Sequence, residues 1–189
     1  MNEKTKKLVG IGLFTAIVIV LQVLAVMIRP TGIFTISLVL APIIIGAALY
    51  GWQAGAWLGF VFGVVVLIND AGAFMAVNVP GTVITVLVKG TCAGLLAGLV
   101  YKAIEKKNGL LAVMTAGVVA PVTNTGLFLV GCKLFFMDTI NGWAAAAGYE
   151  SAGAYLILAI VGVNFLIELA VNLVLSSVIV RLIKIGKNK

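Results

Sequence analysis

The chain has 189 residues, of which 62% are hydrophobic and only 10% are charged, and its formal net charge is +7. A soluble domain of this size carries about a quarter of its residues as charged side chains and lacks apolar runs of about 18 residues or more. Such runs fill most of this chain, and its mean hydropathy is +1.22. The composition therefore excludes an ordinary soluble domain and predicts an integral membrane protein.

Apolar segments long enough to cross a hydrocarbon core of about 30 Å recur along the whole chain. They predict an all-α integral membrane protein in which residues 1–189 form a single transmembrane domain. The six predicted transmembrane helices are 8–28, 34–50, 53–69, 81–102, 109–132 and 154–183.

Most of the basic residues flank predicted helices in three clusters. These are Lys4, Lys6 and Lys7; Lys102, Lys106 and Lys107; and Arg181, Lys184, Lys187 and Lys189. With six spans the three clusters fall on one side, and basic residues next to membrane segments are retained in the cytoplasm. We therefore predict that both termini are cytoplasmic and that Arg29 and the loops 69–80 and 133–153 face outward. Binding of the clusters to anionic lipid headgroups is compatible with the same topology.

Several enzyme classes are excluded by residues that the chain lacks. It contains no histidine, which removes the HExxH zinc site and a serine–histidine pair. It has no GxxxxGK[ST] loop for ATP, and its two cysteines, Cys92 and Cys132, have no CxxC spacing. No cofactor or metal is therefore expected, and the remaining classes are binding, transport and assembly.

Polar side chains interrupt the apolar helices at Lys89, Asn124, Asn164 and Glu168. Polar groups at membrane depth are costly and mark binding sites or pathways. With a rise of about 1.5 Å per residue, the first three lie on the order of 12–15 Å below the outer ends of their helices. We therefore predict that Lys89, Asn124 and Asn164 form the floor of an outward-facing solute pocket, with Lys89 as the counter-ion of an acidic ligand.

Glu168 lies one helical turn deeper than Asn164, and it is expected to be a structural partner or a proton carrier. One alternative for the whole group is a buried ion pair between Lys89 and Glu168, with the asparagines bonded to each other. Another is that Lys89 extends toward the outer water.

The predicted outer loops supply further candidates for the cavity. They are Asn69, Asp70 and Asn78 in one loop, and Asp138, Asn141, Trp143, Tyr149 and Glu150 in the other. Trp143 and Tyr149 suit stacking on a ligand, and they equally suit anchoring at the membrane interface.

Glycines recur at intervals of four residues in two helices, as Gly51, Gly55, Gly59 and Gly63 in the third and as Gly90, Gly94 and Gly98 in the fourth. Residues four apart share a helix face, so each row allows another backbone to approach closely. Packing within the chain is the favoured interpretation, and a docking surface for another protein is the alternative. The first helix has a shorter pair of small residues, Gly12 and Ala16.

The size, the six spans, the Gly12–Ala16 pair and two segments resemble the substrate-binding S components of energy-coupling-factor (ECF) vitamin transporters. The segments are GAALYGWQAGAWLG at 46–59 and APVTNTGLFLVG at 120–131. The resemblance implies a six-helix subunit that captures a vitamin near its outer face through the outer loops and the last three helices. It also implies a T component and two cytosolic ATPase subunits as partners. The resemblance further implies a docking motif Ala-xxx-Ala in the first helix, at Gly12 and Ala16; here glycine replaces the first alanine, which keeps that position small.

Within this family, the pantothenate members are the most similar over the two segments, and a carboxylate ligand would give Lys89 a partner. Folate, riboflavin and other small nutrients remain open, and the acidic loop residues Asp70, Asp138 and Glu150 equally suit a cationic ligand. Two other functions remain as alternatives. One is a self-contained secondary transporter in which Glu168 carries a proton, and the other is an assembly subunit whose glycine rows bind other helices.

Overall fold

A computed structural model describes residues 2–27 and 38–187, and its regular structure in these ranges is entirely helical. The α-helices are α1 (Glu3–Met27), α2 (Leu40–Tyr50), α3 (Trp52–Asn69), α4 (Gly72–Met75), α5 (Val79–Ile104), α6 (Gly109–Phe135), α7 (Met137–Ala146), α8 (Ala152–Tyr155) and α9 (Gly162–Lys187), and a π-helical segment, Leu156–Val161, joins the last two. Arg29, Lys189 and the predicted helical positions 28 and 34–37 lie outside the described residues.

Five of the helices are long and apolar enough to cross a membrane: α1, α3, α5, α6 and the Asn164–Gly186 part of α9. Their ends lie within a few residues of the predicted ones, with two exceptions: α1 begins at Glu3 instead of residue 8, and α9 begins at Gly162 instead of residue 154. Helix α2 is apolar but has only 11 described residues. The count of six spans and the cytoplasmic location of both termini stay predictions.

Helix α2 forms the centre of the bundle, because it packs against α1, α3, α5, α6 and α9. Nearly all of its side chains are buried, and Leu40, Ile43 and Ile44 are at most 1% exposed. A short helix that is apolar on every side can be surrounded by other helices in this way.

The prediction that segments 69–80 and 133–153 are loops was wrong in part. The first segment contains the short helix α4, and the second contains α7 and the start of α8. Helix α7 buries only Ile140 and Ala144, which lie four residues apart on one face. A helix of ten residues with so narrow an apolar face contains no long hydrophobic run. It therefore cannot be recognised from the hydropathy of the sequence.

Helices α3 and α5 pack backbone to backbone along their glycine rows. A Cβ atom added at Gly59 would clash with the carbonyl group of Gly90, and one added at Gly94 would clash with the carbonyl group of Gly55. This confirms the favoured interpretation of the rows as packing within the chain. Because close approach is a major source of helix association in lipid, the contact makes α3 and α5 a firm platform for the residues on the other side of α5.

Candidate substrate-binding site

A cavity of about 220 Å³ lies between the helices, and it is lined by one polar and one aromatic group of side chains. The polar group consists of Gln22, Asp70, Thr82, Thr85, Lys89, Asn124, Thr125, Asn164 and Glu168. The aromatic group consists of Phe62, Phe74, Phe128, Phe136 and Phe165. Convergent polar groups beside apolar and aromatic walls are typical of a small-molecule site.

The structure brings together the four polar residues that the sequence singled out within its helices. Lys89 comes from α5, Asn124 from α6, and Asn164 and Glu168 from α9, and all four line the cavity. Glu168 therefore belongs to the cavity wall itself, one turn along α9 from Asn164, and not to a separate structural layer below it.

Lys89 and Glu168 do not form the ion pair that was considered as an alternative. Within residues 2–27 and 38–187 an ion pair is found between Lys6 and Glu3, at 3.5 Å near the start of α1. Lys89 instead holds its Nζ atom 5.1 Å from the centre of the Phe128 ring, in a cation–π contact. One positive and one negative side chain therefore face the same space without a direct bond between them.

Four buried side-chain oxygens in the described part of the chain have no hydrogen-bond partner, and all four belong to residues that line this cavity. They are Gln22 Oε1, Thr85 Oγ1, Asn124 Oδ1 and Asn164 Oδ1, hereafter the cavity oxygens. A buried polar group without a partner costs about 1–3 kcal/mol, so such groups are rare in native proteins unless they serve a function. Their concentration in one place indicates a site for a ligand that donates several hydrogen bonds.

Some of these residues could have been found from the sequence but were missed. Gln22 is the one amide side chain between positions 8 and 28, and it is only 2% exposed. Thr82 and Thr85 precede Lys89 by seven and four residues, a spacing that places all three on one helix face. Charged and amide side chains in the later helices are the more conspicuous signal, whereas a lone glutamine in the first helix and threonines within an apolar run are common in membrane helices.

Three predicted site residues lie outside the cavity. Asn78 caps the start of α5, where its Oδ1 atom accepts a hydrogen bond of 3.0 Å from the backbone N–H of Gly81. Tyr149 packs edge-to-face against Tyr155, with ring centres 5.3 Å apart. Trp143 lies one layer behind the cavity wall, in contact with Phe74.

Aromatic side chains from α6, from α7 and from Phe136 between them surround Phe74 of α4. Its ring makes edge-to-face contacts with Phe128, Phe136 and Trp143, with ring centres 5.6, 5.0 and 5.4 Å apart. Such pairs add about 0.5–1.5 kcal/mol each beyond the burial of their area. The cluster gives the cavity an apolar wall next to Lys89, where low polarity strengthens any interaction with the ammonium group.

The π-helical segment sets the direction in which α9 presents its polar residues. Ile160 and Val161 of this segment line the cavity, and Asn164 follows three residues later. A π-helical turn contains more residues than an α-helical turn, so it rotates the rest of the helix about its axis, and such turns are frequent at functional sites. The orientation of Asn164 and Glu168 therefore depends on this segment.

The predicted docking pair lies on an open surface of α1. Gly12 and Ala16 are both exposed, and a Cβ atom added at Gly12 would have no other atom within 4 Å. Nothing in the described parts of the chain covers this face at Gly12, in contrast to the glycines between α3 and α5.

Membrane-length helices around a polar cavity define a class of protein, the membrane proteins that bind small solutes. A family model described as "ECF transporter, substrate-specific component" matches residues 6–180, and the chain belongs to this family. It is a multi-pass protein of the cell membrane. A curated relative, the pantothenic acid transporter PanT of Lactococcus lactis subsp. cremoris (strain MG1363), is 26% identical over 99% of this chain and 98% of the relative. No solved structure matches the chain significantly.

Proposed function

We propose that this subunit captures pantothenate in the cavity and delivers it to the cell interior together with a T component and two cytosolic ATPase subunits. The observation that carries the proposal is that Lys89 and the four cavity oxygens line one space. The similarity to a pantothenic acid transporter supports the choice of ligand.

The functional groups of pantothenate match the side chains that line the cavity. Its carboxylate would pair with Lys89, in a charge-assisted hydrogen bond worth about 1.5–3 kcal/mol. Its hydroxyl groups and amide N–H would donate to the cavity oxygens, and its two methyl groups would pack on the phenylalanine rings.

The charge and the size of the cavity restrict the kind of vitamin that fits it. Lys89 is the one basic side chain among the described lining residues, so a second ligand carboxylate, as in folate, would find no basic partner among them. The cavity volume of about 220 Å³ is below the roughly 300–1,000 Å³ of drug-sized ligand pockets. Both features favour a small monoanion.

The exposed Gly12–Ala16 face supports the proposed assembly with a T component. Small residues let another helix approach the backbone closely in lipid, and this pair lies on an open surface. The glycine rows of α3 and α5 are already occupied within the chain, so they do not support the alternative of an assembly subunit that binds helices through them.

The test is a calorimetric titration of the purified full chain in lipid nanodiscs, with pantothenate and with panthenol, which carries an alcohol in place of the carboxylate. We expect the wild type to prefer pantothenate. Lys89→Met should weaken pantothenate binding by about 10–100-fold, the equivalent of one charge-assisted hydrogen bond, and should leave panthenol binding nearly unchanged. An equal loss for both ligands would contradict the counter-ion role, and no binding of pantothenate by the wild type would contradict the ligand.

A proton-coupled secondary transporter is a second candidate, because Glu168 lines the cavity and has no ion-pair partner among residues 2–27 and 38–187. Proteoliposomes that contain this chain alone separate the two functions. Accumulation of radiolabelled pantothenate driven by an imposed pH gradient, and its loss in Glu168→Gln, would support the secondary transporter. Uptake that requires the added ATPase subunits and ATP would support the ECF mechanism.

A further inference from the structure

We propose that Gln22 binds the ligand directly and thereby couples occupation of the cavity to the position of helix α1, whose exposed face carries Gly12 and Ala16. The inference rests on the proposed function and deepens it, because it concerns how the same site regulates docking. It assigns a role to a residue that the sequence analysis did not select.

Gln22 has the surroundings of a ligand-binding residue. It lies near the end of the apolar helix α1, it lines the cavity, and it is 2% exposed. Its Oε1 atom is one of the four cavity oxygens. A buried amide is retained at a cost unless it gains a hydrogen bond in some state of the protein, and the cavity is the space from which a donor can reach it.

Helix α1 is the least embedded of the membrane-length helices. Only 11% of its membrane-length window is buried inside the protein, compared with 50% for α3. Its buried residues are Gly10, Val18 and Gln22. A helix with so few buried contacts requires little free energy to shift, so one additional hydrogen bond has a large effect on its position.

The ligand would join two parts of the bundle that contact each other little. Helix α1 packs mainly against α2 and α3, whereas Lys89, Asn124 and Asn164 belong to α5, α6 and α9. A molecule bonded to Gln22 and to these three residues would connect α1 to the other half of the cavity. This bond exists only when ligand is bound, which is the differential interaction that a ligand-driven shift requires.

Gln22 and the docking face, which consists of Gly12 and Ala16, belong to the same helix, so a movement of α1 at Gln22 also moves this face. Ala16 and Gly12 lie six and ten residues before Gln22, or about 9 and 15 Å along the axis. Between them, Thr15 accepts a hydrogen bond of 3.1 Å from the indole N–H of Trp57 on α3. A tilt of α1 at Gln22 would therefore pivot about this contact with α3 and change the angle at which Gly12 and Ala16 face a partner.

Hydrogen–deuterium exchange of the full chain in nanodiscs tests the proposal, with and without saturating pantothenate. In the wild type we expect ligand to slow exchange in α5, α6 and α9 and also in α1, by about tenfold for amides that open locally. In Gln22→Met, which keeps the length of the side chain, pantothenate should bind about 2–13-fold more weakly, as for one neutral hydrogen bond. At saturation its protection should persist in α5, α6 and α9 and disappear from α1.

Thr15→Val is the matched control, because it removes the side-chain hydrogen bonds of Thr15 to Trp57 and to the carbonyl oxygen of Ile11 in the same helix, and Thr15 does not line the cavity. It should leave the ligand-dependent protection of α1 in place. If Gln22→Met does not fold, Gln22→Leu serves the same purpose. Protection of α1 that persists in the Gln22 variant, or that is missing from the wild type while α5, α6 and α9 are protected, would overturn the inference and leave the proposed function standing. No protection anywhere in the wild type would overturn both.

Discussion

The two faces of helix α5 show how one membrane helix serves opposite purposes. On one face, Gly90 and Gly94 lie against the backbone of α3 so closely that there is no room for a Cβ atom. On the other, Thr82, Thr85 and Lys89 line a cavity in which polar oxygens lack partners. The first face is packed without spare volume. The second face has spare volume and side-chain oxygens without hydrogen-bond partners. The comparison indicates that the contact between α3 and α5 stabilises the fold, whereas the polar groups of the cavity are available to bind a ligand.

The largest effect is expected from breaking the scaffold face with Gly59→Val. Its Cβ atom would meet the carbonyl group of Gly90, and backbone on both sides leaves little room to relax. Overpacking costs about 1–3 kcal/mol and occasionally more, so we expect a strong loss of monodisperse protein in size-exclusion chromatography and a large fall in melting temperature. Gly12→Val is the matched control, and it should fold normally because Gly12 has no neighbour within 4 Å. Equal stability of the two variants would contradict the distinction.

The next largest effect is expected from changing the register between the π-helical segment and the rest of α9. Insertion of one alanine directly after Val161 should rotate the cavity-lining residues Ile160 and Val161 by about 100°, one residue of helical turn, relative to Asn164 and Glu168. We expect pantothenate affinity to fall strongly while the helical circular dichroism and the melting temperature change little. Deletion of Ile157 is the control, because it removes the extra residue of the π-helical turn and lets the segment become α-helical with the following residues in the same orientation, so affinity should persist. Retained affinity in the insertion variant would mean that this register does not position the site.

A smaller effect is expected from Asn124→Leu, which should maintain or raise the stability of the protein and lower its affinity for pantothenate. The Asn124 Oδ1 atom is buried without a hydrogen-bond partner, so its replacement by an apolar side chain should be neutral or should raise the free energy of unfolding by about 1 kcal/mol. Affinity for pantothenate should fall by about tenfold, the equivalent of one good hydrogen bond. Thermal melts and calorimetry measure the two quantities, and a variant that loses stability without losing affinity would assign Asn124 to the scaffold.

The smallest effect is expected from Asn78→Ala, a residue that the sequence analysis placed in the site. The structure gives Asn78 the N-terminal cap of α5, and loss of such a cap costs about 0.5–2 kcal/mol. The melting temperature should fall slightly, with pantothenate affinity unchanged. A loss of affinity without a loss of stability would restore Asn78 to the site.

Some cavity residues could be predicted from the sequence and others could not, for a physical reason that they share. Lys89, Asn124 and Asn164 were found because a polar group in a long apolar run is conspicuous and because helix rise converts position into depth. Trp143 and Tyr149 were placed in the cavity on residue type alone, whereas contacts with Phe74 and Tyr155 hold them behind or beside it. Loop helices with few buried residues carry no strong pattern, so the orientation of their side chains depends on neighbours distant in sequence.

The sequence by itself determined the solvent of this protein, the approximate limits of most of its long helices, and which positions in α5, α6 and α9 are polar. These properties follow from hydropathy and from the fixed rise of a helix, which are local. Only the tertiary structure decided which glycines are covered and which are open, that Lys89 and Glu168 face one cavity without a direct bond, and that Gln22 of α1 joins them. Those outcomes depend on how the helices are rotated about their axes and arranged around α2, and that rotation is set by packing between residues far apart in the chain.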